Sequence, residues 1–214
     1  MKSLTYPFDE KAIRALKAGD AVSITGRIYT GRDKFHKHFA DGGKLPVDFR
    51  DGALYHCGPV VVKSRPQNAQ APKLSNFQTL KRSNFQTLKL SNVYTVMAAG
   101  PTTSVRENPY EPDFIAKSGV RIVIGKGGMD ARTLAAMKKH GCVYVQAVGG
   151  AAAISAAAVK RVAGVSFLDE FGAAEACWHF DVEDFRGVVA MDAHGKSLFD
   201  AVRTESERRL SRLG

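Results

Sequence analysis

The strongest constraint on this chain's fold is the alternation of apolar runs with helical periodicity in its C-terminal half. Val120 to Gly125 reads as a buried strand. Met129 to His140 follows as a helix, with Asp130 near its start and Gly141 past its end. Cys142 to Val148 is the next strand, Gly149-Gly150 a turn, and Ala151 to Val162 an alanine-rich helix whose small residues suit close packing on a sheet. Strands that alternate with helices argue for an α/β domain with parallel pairing. The N-terminal half agrees. Residues 8 to 18 predict a helix with Ala12, Ile13 and Leu16 on one face, ended by Gly19-Asp20. Ala21 to Thr30 predicts a strand with Val22, Ile24 and Ile28 inward. Gly31-Arg32-Asp33 is a turn, and a helix begins over Lys34 to Phe39. Ala53 to Val62 is a second apolar stretch, broken by Gly58-Pro59. Ala176 to Met191 predicts a β-hairpin turning at Phe185-Arg186-Gly187, and Ser197 to Leu210 a charged terminal helix.

One segment breaks the pattern. Lys-Leu-Ser-Asn-Phe-Gln-Thr-Leu from Lys73 recurs as Lys-Arg-Ser-Asn-Phe-Gln-Thr-Leu from Lys81, and Lys89-Leu90-Ser91-Asn92 begins a third copy. Solenoid units are about 20–50 residues long, so this repeat is too short to build one. Residues 64 to 92 therefore read as a loop insertion in a single domain spanning 1 to 214. The flanks Pro59 to Val62 and Val93 to Met97 are expected to pair as a hairpin.

The formal net charge of +10 suggests a polyanionic partner. Its distribution weakens that reading. Lys63, Arg65, Lys73, Lys81, Arg82 and Lys89 sit in or beside the insertion, and Arg203, Arg208, Arg209 and Arg212 in the tail. No basic-aromatic stripe exists outside the repeat, so a nucleic-acid partner is not expected. There is no apolar run long enough for a membrane span and no apolar core of a signal peptide near Met1, which points to a cytoplasmic protein or one whose targeting segment lies elsewhere. Cys57, Cys142 and Cys177 are widely spaced, with no Cys-x-x-Cys pair, and read as free thiols.

Four glycine-rich or polar segments fall where strands end: 25 to 33, 56 to 59, 99 to 106 and 125 to 130. Ligands of open α/β sheets bind outside the carboxyl ends of strands. Three of the segments carry a cation, namely Arg32, Arg106 and Lys126, and Thr102, Thr103 and Ser104 add hydroxyls. Guanidinium groups grip carboxylates in a two-pronged fork. Together the segments would suit a small anion with two or more carboxylates. Each part alone is weaker. Thr102-Thr103-Ser104 could cap a helix, Arg32 could belong to a surface ion pair, and His36 and His38 fit solvated or structural places better than metal binding. His179 reads as packing. Gly125-Lys126-Gly127-Gly128 lacks the spacing and hydroxyl of a P-loop, which excludes nucleotide binding by that motif.

The combination is more specific than its parts. Gly-Arg-Asp-x-x-His at 31 to 36, Cys-Gly-Pro at 57 to 59, Gly-Pro-Thr-Thr-Ser-x-Arg at 100 to 106 and Gly-Lys-Gly-Gly-Met at 125 to 129 occur in that order. The chain strongly resembles the C-terminal domain, or β subunit, of class I fumarases and L(+)-tartrate dehydratases. That resemblance implies a swivelling β/β/α domain with a mixed sheet and flanking helices. It implies a hydro-lyase that interconverts fumarate and malate, or acts on tartrate, and that works only with an α subunit in a hetero-oligomer. It implies a [4Fe-4S] cluster ligated by that partner and no metal ligand in this chain. Thr102, Arg106 and Lys126 are then expected in catalysis, and Arg32, Thr102, Thr103, Ser104, Arg106 and Lys126 in substrate binding. Asp33, His36, Gly100, Gly127 and Gly128 are expected to support them. Thr102 resembles the family's catalytic base, or else only positions substrate. Glu107 departs from the apolar residue expected after Arg106. A non-catalytic orphan domain binding a carboxylate or a protein is the alternative.

Overall fold

The computed structural model describes residues 1–63 and 94–212. The repeat-bearing stretch 64 to 92, and with it the expected insertion, lies outside the described residues. Nine strands are described: β1 (Lys2–Thr5), β2 (Ala21–Thr30), β3 (Ala53–Tyr55), β4 (Val60–Lys63), β5 (Tyr94–Ala98), β6 (Ile122–Gly125), β7 (Val143–Gln146), β8 (Val159–Ser166) and β9 (Cys177–Met191). The helices are α1 (Glu10–Arg14), α2 (Asp33–Ala40), α3 (Glu111–Ser118), α4 (Ala131–His140), α5 (Ala152–Ala158), α6 (Leu168–Phe171) and α7 (Leu198–Leu210), with a 3₁₀ turn at Ser104–Glu107. The fold is mixed α/β, as expected.

Parallel pairing runs from β1 to β2, β2 to β3, β3 to β6 and β6 to β7. β9 is antiparallel to both β7 and β2, so β2, β3, β6, β7 and β9 close into a ring. β8 pairs with β9 outside that ring, and β4 and β5 form the expected antiparallel hairpin. Because alternate residues of a strand face opposite ways, the sheet has two cores. One holds Val22, Ile24, Ile28, Ile122, Ile124, Val143, Val145 and Phe180, with the hairpin's Val61, Tyr94 and Val96 packed against it. The other holds Tyr29, Leu54, Val123 and Tyr144 beneath the helices, against Phe35, Phe114, Ile115 and Met137. Phe35, Phe49 and Phe114 pack ring against ring at 5.2 to 5.8 Å. Fully burying each such side chain stabilises by about 1.5–3 kcal/mol. This face fixes α2 and α3 on the sheet, and with them the start of α2.

Local signals held where they were local. The Asp130 side chain accepts from the Thr133 N–H, and Gly141 ends α4 at φ 68°. Two expectations are corrected. Residues 151 to 162 are not one helix: Val159 begins β8, whose β-branched Val159, Val162 and Val165 pair with β9. Residues 176 to 191 are not a hairpin but one long strand. Gly187 makes no turn. It pairs with Val22, and a Cβ there would run into Val145 and stand 3.0 Å from the Gln146 carbonyl. Glycine lets β7 and β9 approach. Helix α1 is shorter than expected, and β1 and α3 were not foreseen. No helix among the described residues is long and apolar enough to cross a membrane.

Candidate active site

The parallel strands β2, β3, β6 and β7 all present their C-terminal ends at one side of the sheet, and the four motif segments follow these ends or bridge them. Arg32 follows β2 as the N-cap of α2. His56-Cys57-Gly58 follows β3, and Lys126 follows β6. The 99 to 107 loop is stitched between them. Thr102 N–H donates to the His56 carbonyl at 2.7 Å, Lys126 N–H to the Thr102 carbonyl at 3.3 Å, and Ser104 N–H to the Lys126 carbonyl at 3.0 Å. Gly127 N–H donates to Gln146 Oε1 at 3.1 Å, which ties in the end of β7. Gly127 and Gly128 sit at φ 84° and 75°, a region costly for residues with a Cβ. Gly100 lies against Ala152, where a Cβ would come within 3.1 Å.

The expected cations differ in how free they are. The Arg32 guanidinium pairs with Glu175 at 3.3 Å and donates to the Ala174 carbonyl at 3.4 Å, lying over Gly58. Arg106 is half exposed and faces Asp33 at 3.4 Å. The half-buried Lys126 has no hydrogen-bonded or ionic partner for its ammonium among the described residues. Thr102 is half-buried and Thr103 exposed, and the Thr103 side chain caps nothing. Ser104 is turned inward. Its hydroxyl is fully buried between His56 Nδ1 at 2.8 Å and the Tyr144 hydroxyl at 2.9 Å. It holds the loop instead of reaching toward a substrate.

Behind the loop lies a polar cluster with no solvent exposure: His36, His56, Ser104, Glu107 and Glu111. Glu111 Oε2 lies 2.8 Å from His36 Nε2 and 3.2 Å from His56 Nε2. His36 Nδ1 reaches the Arg32 carbonyl at 3.0 Å. Burial alone would raise the Glu111 carboxyl, but the two histidines outweigh it and bring it down to about 2. Burial opposes charge on His36 as well, yet the Glu111 and Glu107 carboxylates hold its pKa up. Burial pushes His56 down. Glu107 is raised to about 8, by burial first and by the Asp33 and Glu111 carboxylates next, against the pull of His36. Its two oxygens and Glu111 Oε1 make no hydrogen bond. So Glu107 faces this interior cluster.

His36, His56 and Glu111 are the three residues whose donor atoms could hold a metal ion among the described residues. In this structure their nitrogens sit at 2.8 and 3.2 Å from one carboxylate oxygen, so the three groups are hydrogen-bonded to one another. The cysteines do not fit a cluster. Each is a free, buried thiol on a separate segment, and among the described residues none joins a converging group of potential ligands. His38 packs on Phe167 and Phe171, and His179 on Tyr29, as packing residues do.

Sequence reasoning gave no role to His56, Glu111, Tyr144, Glu175 or Gln146. His56 stood inside a motif and so was within reach. Glu111 and Tyr144 carry no local signal.

Comparison with known proteins adds an independent line. The family model described as "Fumarase C-terminus" matches residues 3–74 and 87–202. The chain is 44% identical over 211 residues to a protein of Geobacillus stearothermophilus provisionally named fumarate hydratase class I. That match covers 99% of this chain and 36% of the relative, so the chain spans about a third of that protein's length. It is 34% identical over 218 residues to a provisionally named L(+)-tartrate dehydratase subunit beta of Methanocaldococcus jannaschii, covering 98% of both. It is 28% identical over 199 residues to the L(+)-tartrate dehydratase subunit beta of Escherichia coli K12, covering 92% of this chain and 86% of that one.

Proposed function

The chain belongs to the fumarase C-terminus family, and from that premise we propose that it is the β-type, substrate-clamping part of a hydro-lyase acting on a dicarboxylate. Fumarate and malate are the preferred pair, with tartrate the alternative. The observation that carries the reading is the stitching of the Arg32, Thr102–Arg106 and Lys126 segments into one end of the parallel sheet. The family's relatives named as a whole hydratase and as β subunits support it.

In this reading Arg106 and Lys126 hold the substrate carboxylates, with Arg32 behind them over Gly58. Elimination of water removes a proton from the carbon next to a carboxylate, and negative charge builds on that carboxylate. Fixed cations aimed at the developing charge stabilise it, often the largest catalytic contribution. Thr102 stands at the half-buried edge of the loop, where its hydroxyl either takes the proton or orients the substrate. Thr103 lines the exposed side. The three cysteines lie on separate segments, so we assign ligation of the [4Fe-4S] cluster that the family implies to a partner α subunit. This domain would swing over that partner's face to complete the site.

The test is anaerobic co-expression with a candidate α subunit, followed by absorbance growth from fumarate formation on malate and assay of tartrate dehydration. Activity that requires both chains is expected. A stable, cluster-loaded assembly inactive on all these dicarboxylates would overturn the proposal.

A further inference from the structure

We propose that Glu111 is a positioning residue for this site. Through His36 and His56, one buried carboxylate sets the places of the segment carrying Arg32 and the loop carrying Thr102 and Arg106. The inference rests on the hydro-lyase reading for its kinetic consequence, but not for its geometry.

Glu111 begins α3, a helix that carries none of the motif residues. Its Oε2 receives both histidines, and each histidine uses its other ring nitrogen on a different piece of the site. His36 Nδ1 meets the Arg32 carbonyl at 3.0 Å. His56 Nδ1 meets Ser104 at 2.8 Å, while the His56 carbonyl takes the Thr102 N–H at 2.7 Å. Ser104 N–H in turn holds the carbonyl of Lys126. All three cation-bearing segments therefore hang on one oxygen.

Donor and acceptor chemistry gives the chain of bonds a single direction. A carbonyl and a carboxylate only accept. His36 faces one with each ring nitrogen, so both nitrogens carry protons and the ring is an imidazolium. Burial keeps His56 neutral, so with Nε2 donating to Glu111 its Nδ1 accepts from the Ser104 hydroxyl, whose oxygen then accepts from Tyr144. The raised His36 and lowered Glu111 agree with this assignment. Such a buried ion pair is a weak source of stability, since well-packed apolar residues of equal volume often serve better. Its use here is orientation: each histidine joins Glu111 Oε2 to a different segment, and that arrangement fixes three segments at once.

The experiment uses the full chain assembled with its candidate α subunit, comparing wild type, Glu111→Gln and Tyr144→Phe. Glu111→Gln keeps the shape and removes the charge. The expected result is a fall in kcat per assembled site of about ten- to a hundredfold, the scale of a misplacement near 1 Å, with a smaller fall for Tyr144→Phe. A merely structural role would lower the melting temperature and leave kcat per assembled site unchanged. Imidazole nitrogen NMR on the chain alone supplies the second readout: one histidine doubly protonated at pH 8 in wild type and lost in Glu111→Gln. Wild-type kcat and KM in either folded variant would overturn the proposal. So would a neutral His36, or stoichiometric divalent metal bound by the purified chain and lost in Glu111→Gln. Should the wild-type assembly lack hydro-lyase activity, the functional reading falls, and the imidazole spectrum still decides whether the network exists.

Discussion

Asp33 Oδ2 lies 3.4 Å from Nη1 of Arg106, so the first residue of α2 steadies a guanidinium that belongs to a separate loop. The two partners are 46% and 47% exposed, and exposed pairs are worth about 0–1 kcal/mol to stability. Asp33→Asn is therefore expected to leave the melting temperature nearly unchanged while raising KM severalfold. Arg106→Ala removes the charge itself. By analogy with lost oxyanion donors it should cost about 3–4 kcal/mol of transition-state stabilisation. Steady-state kinetics of the assembled enzyme and thermal melts of the chain check both; near-normal turnover in Arg106→Ala would remove the role given to it.

Gly58 makes room for Arg32. A Cβ at this position would collide with the guanidinium and stand 2.8 Å from the Ala174 carbonyl. Gly58→Ala should displace Arg32 from its contact with Glu175 and raise KM for the dicarboxylate about tenfold or more, with overpacking strain of about 1–3 kcal/mol. Kinetics alongside urea unfolding separates the two effects. Unchanged KM in a folded variant would mean that Arg32 does not touch substrate.

Glu107 makes stability fall as pH rises. Its carboxyl titrates at about 8 when folded, against 4.5 for the ordinary group. Between those values the folded chain keeps a proton that the unfolded chain has released, so each unit of pH lowers stability by up to about 1.4 kcal/mol. Below 4.5 the penalty is absent, and above 8 it is complete. Glu107→Met should flatten this slope, leaving the variant more stable than wild type at pH 8.5, with the gap closing toward pH 5. Urea midpoints at pH 5, 7 and 8.5 test it, and parallel curves for the two proteins would contradict it.

Cys57, Cys142 and Cys177 are buried thiols with raised pKa values. Thiol reagents at pH 8 should label almost none of them in the native chain and all three in denaturant, because the thiolate is the reactive form. Replacing them by alanine should leave the iron content of the assembled enzyme unchanged. Loss of iron on replacing any one would return the cluster ligands to this chain.

Much of the fold was legible because its signals are local. The bounds of Ala21–Thr30, the Asp130 cap, the Gly141 stop and the pairing of Val60–Lys63 with Tyr94–Ala98 follow from periodicity and flanking residues. The motifs at strand ends named Arg32, Thr102, Arg106 and Lys126 for the same reason. What the sequence hid was decided by partners distant along the chain. Gly187 looked like a turn until β7 was seen against it, and Val159 to Val162 looked helical until β9 offered pairing. Neither the closing of the ring by β9 on β2 nor the burial of Glu111 between His36 and His56 has a local signature. Polar side chains carry an expectation of water. Only the packing of α2 and α3 on the sheet takes these out of it, and the hydrogen bonds that make their burial tolerable exist nowhere but in the folded chain.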